Sequence, residues 1–377
     1  MTRLGILGGG QLAQMMTQAA VSLGIETAIF ERRPDSPAAR LTHYHFAGDW
    51  CDEALLAAFA SVCDAVTLEN EFVDASVLRW LEARGLPVYP SSSTLAAVQD
   101  KLIQKETMRA AGLPLPAFRA VASPDDALAA AAEFGWPLLL KARRDSYDGY
   151  GNAALHSPDD IPAAWAKLGA DRGRALLAEA FVRFARELAV MVVRGRGGQT
   201  VCYPVVETVQ QNHICHVVRA PAPVSARTAQ QAVNTARAAV EAVGGVGVFG
   251  VELFELADGG LLYNEIAPRP HNSGHYTIEG CVISQFENHI RAVLGWPLGS
   301  VEMVAPAAVM VNVLGRRSGP ARPDGAAAAL AVIGAHVHIY AKREVRTGRK
   351  MGHVTALGDT IEEAETIARR AADLVDL

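Results

Sequence analysis

The chain lacks most of what would mark it as secreted, membrane-spanning or nucleic-acid-binding. It has 5 cysteines in 377 residues. Cys51, Cys63, Cys202, Cys215 and Cys281 are scattered, odd in number and never arranged Cys-x-x-Cys. That pattern excludes a disulfide framework and implies reduced thiols in a cytoplasmic protein. No apolar run is long enough to span a bilayer, although 50% of the residues are hydrophobic. The first residues read straight into a strand, without the pattern of a secretory signal. Positive charge is not in excess: 35 Lys and Arg face 40 Asp and Glu, a net charge of −5, which argues against a nucleic-acid surface. There is no low-complexity segment and no internal repeat. The length and apolar content leave room for two to three domains with sizeable cores.

What is present is concentrated in Asn264-Glu265-Ile266-Ala267-Pro268-Arg269-Pro270-His271-Asn272-Ser273-Gly274-His275. Two amides, a carboxylate, an arginine and two histidines share this segment, with prolines fixing the backbone between them. Val246 to Leu256 and Leu261 to Ile266, just before it, are rich in β-branched and aromatic residues and read as strands. Asp258-Gly259 between them predicts a two-residue hairpin turn. That register sets Glu252 opposite Glu265, with Cβ atoms about 5 Å apart on one face. Two adjacent carboxylates on a mostly apolar face repel each other and resist desolvation. Oxygen donors without thiolate suit Mg²⁺ (or Mn²⁺), and Mg²⁺ normally arrives with phosphates.

The remaining chemistry is spread along the chain. Gly8, Gly10 and Ala13 follow a short strand and open a helix, the pattern of a glycine-rich phosphate turn. Glu31, at the end of the second strand, stands where a Rossmann ribose binder would. Glu69 and Glu71 follow the strand 64–68, at the edge where α/β proteins bind ligands. Gly, Pro and Ser crowd residues 85–93, a boundary. One helix carries Gln99-Asp100-Lys101 on to about Ala111. Trp136 to Lys141 reads as a buried strand ending in lysine, and the polar loop 143–152 has the content to fold over a polyphosphate. Strands are expected over 175–179, 188–193 and 199–206. The spacing of His213, Cys215 and His216 fits no tetrahedral zinc site. Ser225 to Val243 is an amphipathic helix, and a further helix is expected from His275 to Leu294, with Ile278, Val282, Phe286, Ile290 and Val293 on one stripe. Strands near 307–314 and 336–340 and a helix over about 360–375 close the chain. Between the last two, residues 342–350 hold 5 basic side chains, either a solvated turn or a phosphomonoester site.

Taken together, these motifs resemble the ATP-grasp superfamily. The resemblance rests on the glycine-rich first domain, Gln99-Asp100-Lys101, Lys141 before a Tyr-Asp-Gly loop, Glu179-x-x-Val182, and the Glu252 and Asn264-Glu265 pair. The runs NEIAPRPHNSGH and KREVRTGRKMGH narrow it to the N5-carboxyaminoimidazole ribonucleotide synthase family, over nearly the whole chain. The resemblance implies an α/β and α+β chain with an ATP-grasp fold: a Rossmann-like N-terminal domain over 1–92, an ATP-grasp domain over 93–298 with a lid over about 115–180, and a small C-terminal domain over 299–377. It implies a ligase of purine biosynthesis, a homodimer, with ATP, bicarbonate and 5-aminoimidazole ribonucleotide as substrates and no nucleic-acid or membrane partner.

The resemblance also implies roles. Lys101 and Lys141 contact the ATP phosphates. Glu179, Phe181 and Val182 lie at the adenine, Glu187 at the ribose, and Asn264 beside the metal carboxylates Glu252 and Glu265. Arg269, His271 and Asn272 line the meeting point of bicarbonate, γ-phosphate and acceptor amine, and Tyr147 helps to cover it. Lys342, Arg349 and Lys350 take the acceptor's 5′-phosphate. Gln11, Leu12 and Glu71 line the acceptor, so that the glycine turn serves a ribonucleotide and not NAD. Two departures stand out. Tyr150 replaces a basic residue of the family loop, for which Arg143 or Arg144 would compensate, and Thr347 replaces a proline. The alternatives are a formate-dependent glycinamide ribonucleotide formyltransferase of the same superfamily, an NAD-binding oxidoreductase resting on Gly8, Gly10 and Glu31, and a non-catalytic nucleotide-binding protein. Neutral Gln11 and Asn272 disfavour the first, for which acids are expected there.

Overall fold

The computed structural model describes residues 1–145 and 151–377. Its first strand, Arg3–Leu7, pairs in parallel with Glu26–Glu31 on one side and Ala65–Leu68 on the other, and Tyr44–Ala47 completes a four-stranded sheet. Parallel strands need crossovers, supplied in part by the helices Gln11–Ser22 and Glu53–Ala60. The strand ends therefore share one edge, where Gly8–Leu12 meets Glu69–Glu71.

A second sheet of four antiparallel strands runs in the order Phe118–Val121, Leu176–Ala180, Leu138–Ala142, Asn152–Leu155. Leu139 lies opposite Glu179. Lys141, two residues on, is therefore Glu179's diagonal neighbour on the same face.

The third sheet is the largest. Leu261–Ala267, Gly247–Glu255, Arg186–Arg194, Val206–Gln211, Ile214–Ala220, Ala307–Leu314, Lys350–Gly358 and Ala335–Ile339 follow one another across it, and the strands of the C-terminal part thus continue the sheet that carries Glu252. Its core is built from alternation. Val190, Val192, Phe249, Val251 and Leu253 face the helix Ala226–Ala242 through Ala232, Ala236, Ala239 and Val240. Val309, Val311, Val354 and Ala356 face the helix Ile361–Leu374 through Ala364, Ala368, Ala371 and Ala372. Alanine on both helices lets them lie close to the sheet, and each buried valine or leucine contributes about 1.5–3 kcal/mol.

Several expectations are corrected. The helix through Asp100 is two helices, Ser92–Gln99 and Lys101–Ala110. Asp100 is extended between them and caps the second through Leu102 N–H at 3.0 Å, while Arg143 Nε and Nη2 donate to its two oxygens at 2.9 and 2.7 Å. The helix expected from His275 to Leu294 is broken: Thr277–Gly280 ends, the chain turns, and Gln285–Leu294 starts on a Ser284 cap. Val282 falls in the break and is exposed. The strand expected over 199–206 is also two, Thr200–Cys202 and Val206–Gln211. Lys350–Gly358, a nine-residue strand inside the largest sheet, was not foreseen. No disulfide forms among the described residues, and among them no helix is long and apolar enough to cross a membrane.

Candidate active site

One cleft of about 1130 Å³ runs between the three sheets. Its far wall is the glutamate hairpin. Glu252 does lie opposite Glu265, but not through a two-residue turn. Leu256 and Gly260 close a three-residue loop, with Gly259 at φ +80, the left-handed position of such hairpins. That shifts the register by one, so Leu253 faces Tyr263, and a bulge between Glu252 and Leu253 shifts it back. Asn264 is the extra residue. A bulge turns consecutive side chains toward the same side, and Asn264 and Glu265 both line the cleft beside Glu252. Asn264 Nδ2 donates to Glu252 Oε2 at 3.4 Å.

The carboxylates are not equivalent. Lys101 Nζ donates to Glu265 Oε2 at 2.6 Å, which holds Glu265 well below the usual carboxylate range. Burial, then the charge on Glu265, pushes Glu252 up above that range. The pair therefore keeps a proton that a cation would displace. Among the described residues no three His, Cys, Asp or Glu side chains converge as a metal cage. Two hard oxygen donors open to a cleft fit Mg²⁺, which keeps waters and takes phosphate oxygens for the rest of its shell.

Lys101 and Lys105 are one helical turn apart and so share a face. Lys101 reaches the hairpin; Lys105, 2% exposed, reaches Glu179 on the second sheet. Lys141 Nζ also donates to Glu179, at 2.7 Å. Glu179 is 1% exposed, and although burial opposes its ionisation the two lysines hold it down at about 2. Phe181 and Val182 follow on the cleft wall, and Phe184 stacks on Phe254 with centroids 4.7 Å apart. Glu187, paired across strands with Phe254, has its acidity weakened by burial.

Arg269 forks onto Glu71, its Nη2 donating to Oε1 at 2.9 Å. Burial raises the Glu71 pKa, and Arg269 outweighs it. His271 Nδ1 lies 2.8 Å from Ser273 Oγ and 3.4 Å from Ser273 N, and its Nε2 lies 3.6 Å from Glu252 Oε1. Burial, then Arg269, lowers its pKa to about 4, so the ring is neutral at pH 7. Asn272 and Asn312 exchange amide hydrogen bonds of 3.0 and 2.7 Å.

The third border of the cleft is the basic turn. Lys342 Nζ donates to Lys350 O at 2.6 Å and Arg349 Nη1 to Glu344 O at 2.8 Å. Gly348, at φ +78, donates to Gly315 O. Lys342, Arg349 and Lys350 all line the cleft, as do Gln11, Leu12 and Glu71 from the N-terminal sheet.

The cleft thus gathers every site residue singled out from the sequence except Tyr147, which lies outside the described residues, as does Tyr150. Two readings change. Of Arg143 and Arg144, expected to make up for the lost loop charge, Arg143 spends its guanidinium on Asp100, while Arg144 lines the cleft with its Nε 3.6 Å from Asp100. The glycine turn also engages the chain's own acids: Glu69 Oε2 accepts from Ala13 N–H at 3.1 Å, and Glu31 accepts from Gly9 N–H at 2.8 Å and Arg32 N–H at 2.7 Å. A Cβ at Gly10 would sit 2.5 Å from Glu69 Oε1. The N–H groups of Gly8, Gly9 and Ala13 are thus taken within the chain, which weakens the footing of the NAD reading. Lys105, Asn312 and Gln285 were missed. Of these, Lys105 alone carried a signal, its spacing from Lys101.

Three family models match the chain: the ribonucleotide synthetase preATP-grasp domain over residues 1–99, the ATP-grasp domain over 106–286, and the phosphoribosylaminoimidazole carboxylase C-terminal domain over 308–367. The chloroplastic phosphoribosylaminoimidazole carboxylase of Vigna aconitifolia is 42% identical over 96% of this chain; the chain spans 65% of that protein's length. The N5-carboxyaminoimidazole ribonucleotide synthase of Synechococcus elongatus is 41% identical over 93% of this chain and 88% of its own. The crystal structure of N5-carboxyaminoimidazole synthase from Aspergillus clavatus with ADP and 5-aminoimidazole ribonucleotide superposes with a TM-score of 0.90 at 38% identity, over 99% of this chain and 98% of that one. With its two-lysine, two-glutamate cleft between a lid sheet and a larger sheet, the chain is an ATP-grasp protein. More narrowly, it belongs to the N5-carboxyaminoimidazole ribonucleotide synthase family.

Proposed function

We propose that this protein is an ATP-dependent, ADP-forming ligase that carboxylates 5-aminoimidazole ribonucleotide with bicarbonate to give N5-carboxyaminoimidazole ribonucleotide. The observation that carries this reading is one cleft lined both by two lysine–glutamate clusters and by Lys342, Arg349 and Lys350 of the basic turn, with Arg269, His271 and Asn272 also on its wall. A nucleoside triphosphate suits the clusters and a phosphomonoester the turn. Lys101 and Lys141 would exchange their carboxylate partners for ATP phosphates, Phe181 and Val182 would hold the base, and Glu187 the ribose hydroxyls. Mg²⁺ (or Mn²⁺), when held by Glu252 and Glu265 with Asn264 beside them, would neutralise phosphate charge. Lys342, Arg349 and Lys350 would hold the acceptor's 5′-phosphate, and Gln11, Leu12 and Glu71 its other side.

In the first step a bicarbonate oxygen forms a bond to the γ-phosphorus and the bond to ADP breaks, giving carboxyphosphate. Charge stabilisation by Lys141 and Arg269 is the main lever, as in other phosphoryl transfers. In the second, the acceptor's exocyclic nitrogen bonds to the carboxyl carbon, inorganic phosphate leaves, and the amine loses a proton. His271 has a pKa near 4, which makes it a weak base. The departing phosphate is the better proton acceptor, and His271 positions the reactants.

ADP release assayed with each acceptor tests the reading. Stimulation by aminoimidazole ribonucleotide with bicarbonate is expected. Stimulation by glycinamide ribonucleotide with formate instead would replace it with the transformylase.

A further inference from the structure

The segment that carries Arg269, His271 and Asn272 leaves its strand at Ala267 and is irregular up to Asn272. Its backbone groups must find partners elsewhere. At His271 both find them in one side chain. Gln285 Oε1 accepts from His271 N–H at 2.9 Å, and Gln285 Nε2 donates to His271 C=O at 2.7 Å. Nε2 also bonds His275 Nδ1 at 3.1 Å. His271 is extended, at φ −116 and ψ 151, so the amide stands in for a neighbouring strand. Gln285 is 0% exposed and is itself held in place: its N–H donates to Thr277 Oγ1 at 2.9 Å, and Thr277 donates to Gly274 C=O at 2.6 Å. A Cβ at Gly274 would lie 2.6 Å from Gln285 Cδ, so glycine there is what lets the amide in.

We propose that Gln285 is a positioning residue for the reaction, an amide clamp that sets the backbone of His271 and with it the side chains of Arg269, His271 and Asn272. It touches no substrate under the reading above, on which this inference rests. Chemistry at 285 is specified closely, because the clamp needs a donor and an acceptor side by side. A hydrocarbon offers neither. A carboxylate offers two acceptors and would face the His271 carbonyl. A protonated carboxyl offers one O–H and one C=O, the same pair as the amide.

That last property gives a test a merely structural role would not pass. The wild-type enzyme, Gln285→Leu and Gln285→Glu are assayed with ATP, bicarbonate and aminoimidazole ribonucleotide. Gln285→Leu is expected to lose about 100-fold in kcat, as misplacement by about 1 Å can cost, with KM for ATP unchanged because the nucleotide border of the cleft is untouched. Gln285→Glu is expected to be as poor at pH about 8.5 and to recover toward wild type at about 6.5, since burial raises the pKa of the introduced carboxyl. His275, which it would contact, and His271 are the titratable groups that can bias that recovery. The ratio to wild type at each pH removes the pH dependence common to both. A Gln285→Leu enzyme within threefold of wild type would overturn the clamp, as would a Gln285→Glu ratio that stays flat with pH; should Gln285→Leu fail to fold, the ratio alone decides. A wild-type enzyme inactive with these substrates would instead overturn the functional reading.

Discussion

Two polar turns in this molecule look alike in sequence and are opposites in structure. The glycine loop at residues 8–12 and the proline-bearing segment at 264–275 both follow a strand and both offer convergent hydrogen-bonding groups. The first is partly closed by the chain's own acids: Glu31 and Glu69 accept from the N–H groups of Gly9 and Ala13, and burial raises the Glu69 pKa. The second is unfinished. Burial and the charge on Glu265 push the Glu252 pKa up, and Lys101 and Lys141 rest on carboxylates whose place ATP phosphates would take under the proposed function. A glycine motif specifies backbone shape. Whether the shape holds a ligand depends on whether the protein has supplied the charge itself.

The largest effect expected from this contrast is acid lability on the unfinished side. His271, His275, His289 and His353 are all held neutral, chiefly by burial. His289 ties two units together, accepting from Val248 N–H at 3.0 Å and bonding Thr67 Oγ1 at 2.8 Å. A histidine with a depressed folded pKa binds fewer protons folded than unfolded. Its stabilisation is complete above 6.5 and is lost as pH falls toward the folded value, about 4 for His271 and about 3 for His289. For His271 and His289 that loss is about 1.4 kcal/mol each per pH unit, a sizeable share of an ordinary stability of about 5–15 kcal/mol over two units, and His275 and His353 act in the same direction. Urea unfolding between pH 7 and 5 should show the drop, and a flat profile would contradict it.

Glu265→Gln comes next. It removes the charge Lys101 pairs with and one of the two carboxylates, and should reduce ADP formation by about 100-fold or more. Unchanged turnover would mean that the hairpin acids are structural, like Glu69. The converse probe is Glu69→Ala. It strands the N–H groups of Gly10 and Ala13 in a buried place, at a cost of about 1–3 kcal/mol visible as a lower Tm, and should leave KM for ATP alone. A shift in KM for ATP without a change in Tm would erase the distinction between the two turns.

How much of this was legible follows the same division. Most cleft-lining residues could be read because they sit near an element end or a marked turn, where local sequence carries the signal. The Glu252–Glu265 pairing came out right because the longer turn and the bulge cancel, which no local rule foresees. The break at Asp100 depends on Arg143, brought there by folding. Lys350–Gly358 opens with lysine, methionine, glycine and histidine, residues that do not announce a strand, and earns its place by pairing with Ala307–Leu314 and Ala335–Ile339. Gln285 reads as an ordinary polar residue at a helix start until Gly274 brings the His271 backbone against it.

The smallest expected effect is on the pH dependence contributed by Glu252. Its folded pKa lies above its ordinary 4.5, so between the two values the folded protein binds a proton that the unfolded chain has lost. Stability from this group is full below 4.5 and declines as pH rises toward the folded value. Glu252→Gln removes the ionisation, keeps the volume and still offers Asn264 an acceptor. Without added metal or nucleotide, the variant's stability relative to wild type should rise steadily from pH 5 to 8, and Glu69→Gln should move in the same direction, because burial raises that acid too. Parallel curves for wild type and Glu252→Gln would mean that Lys101 already serves both carboxylates.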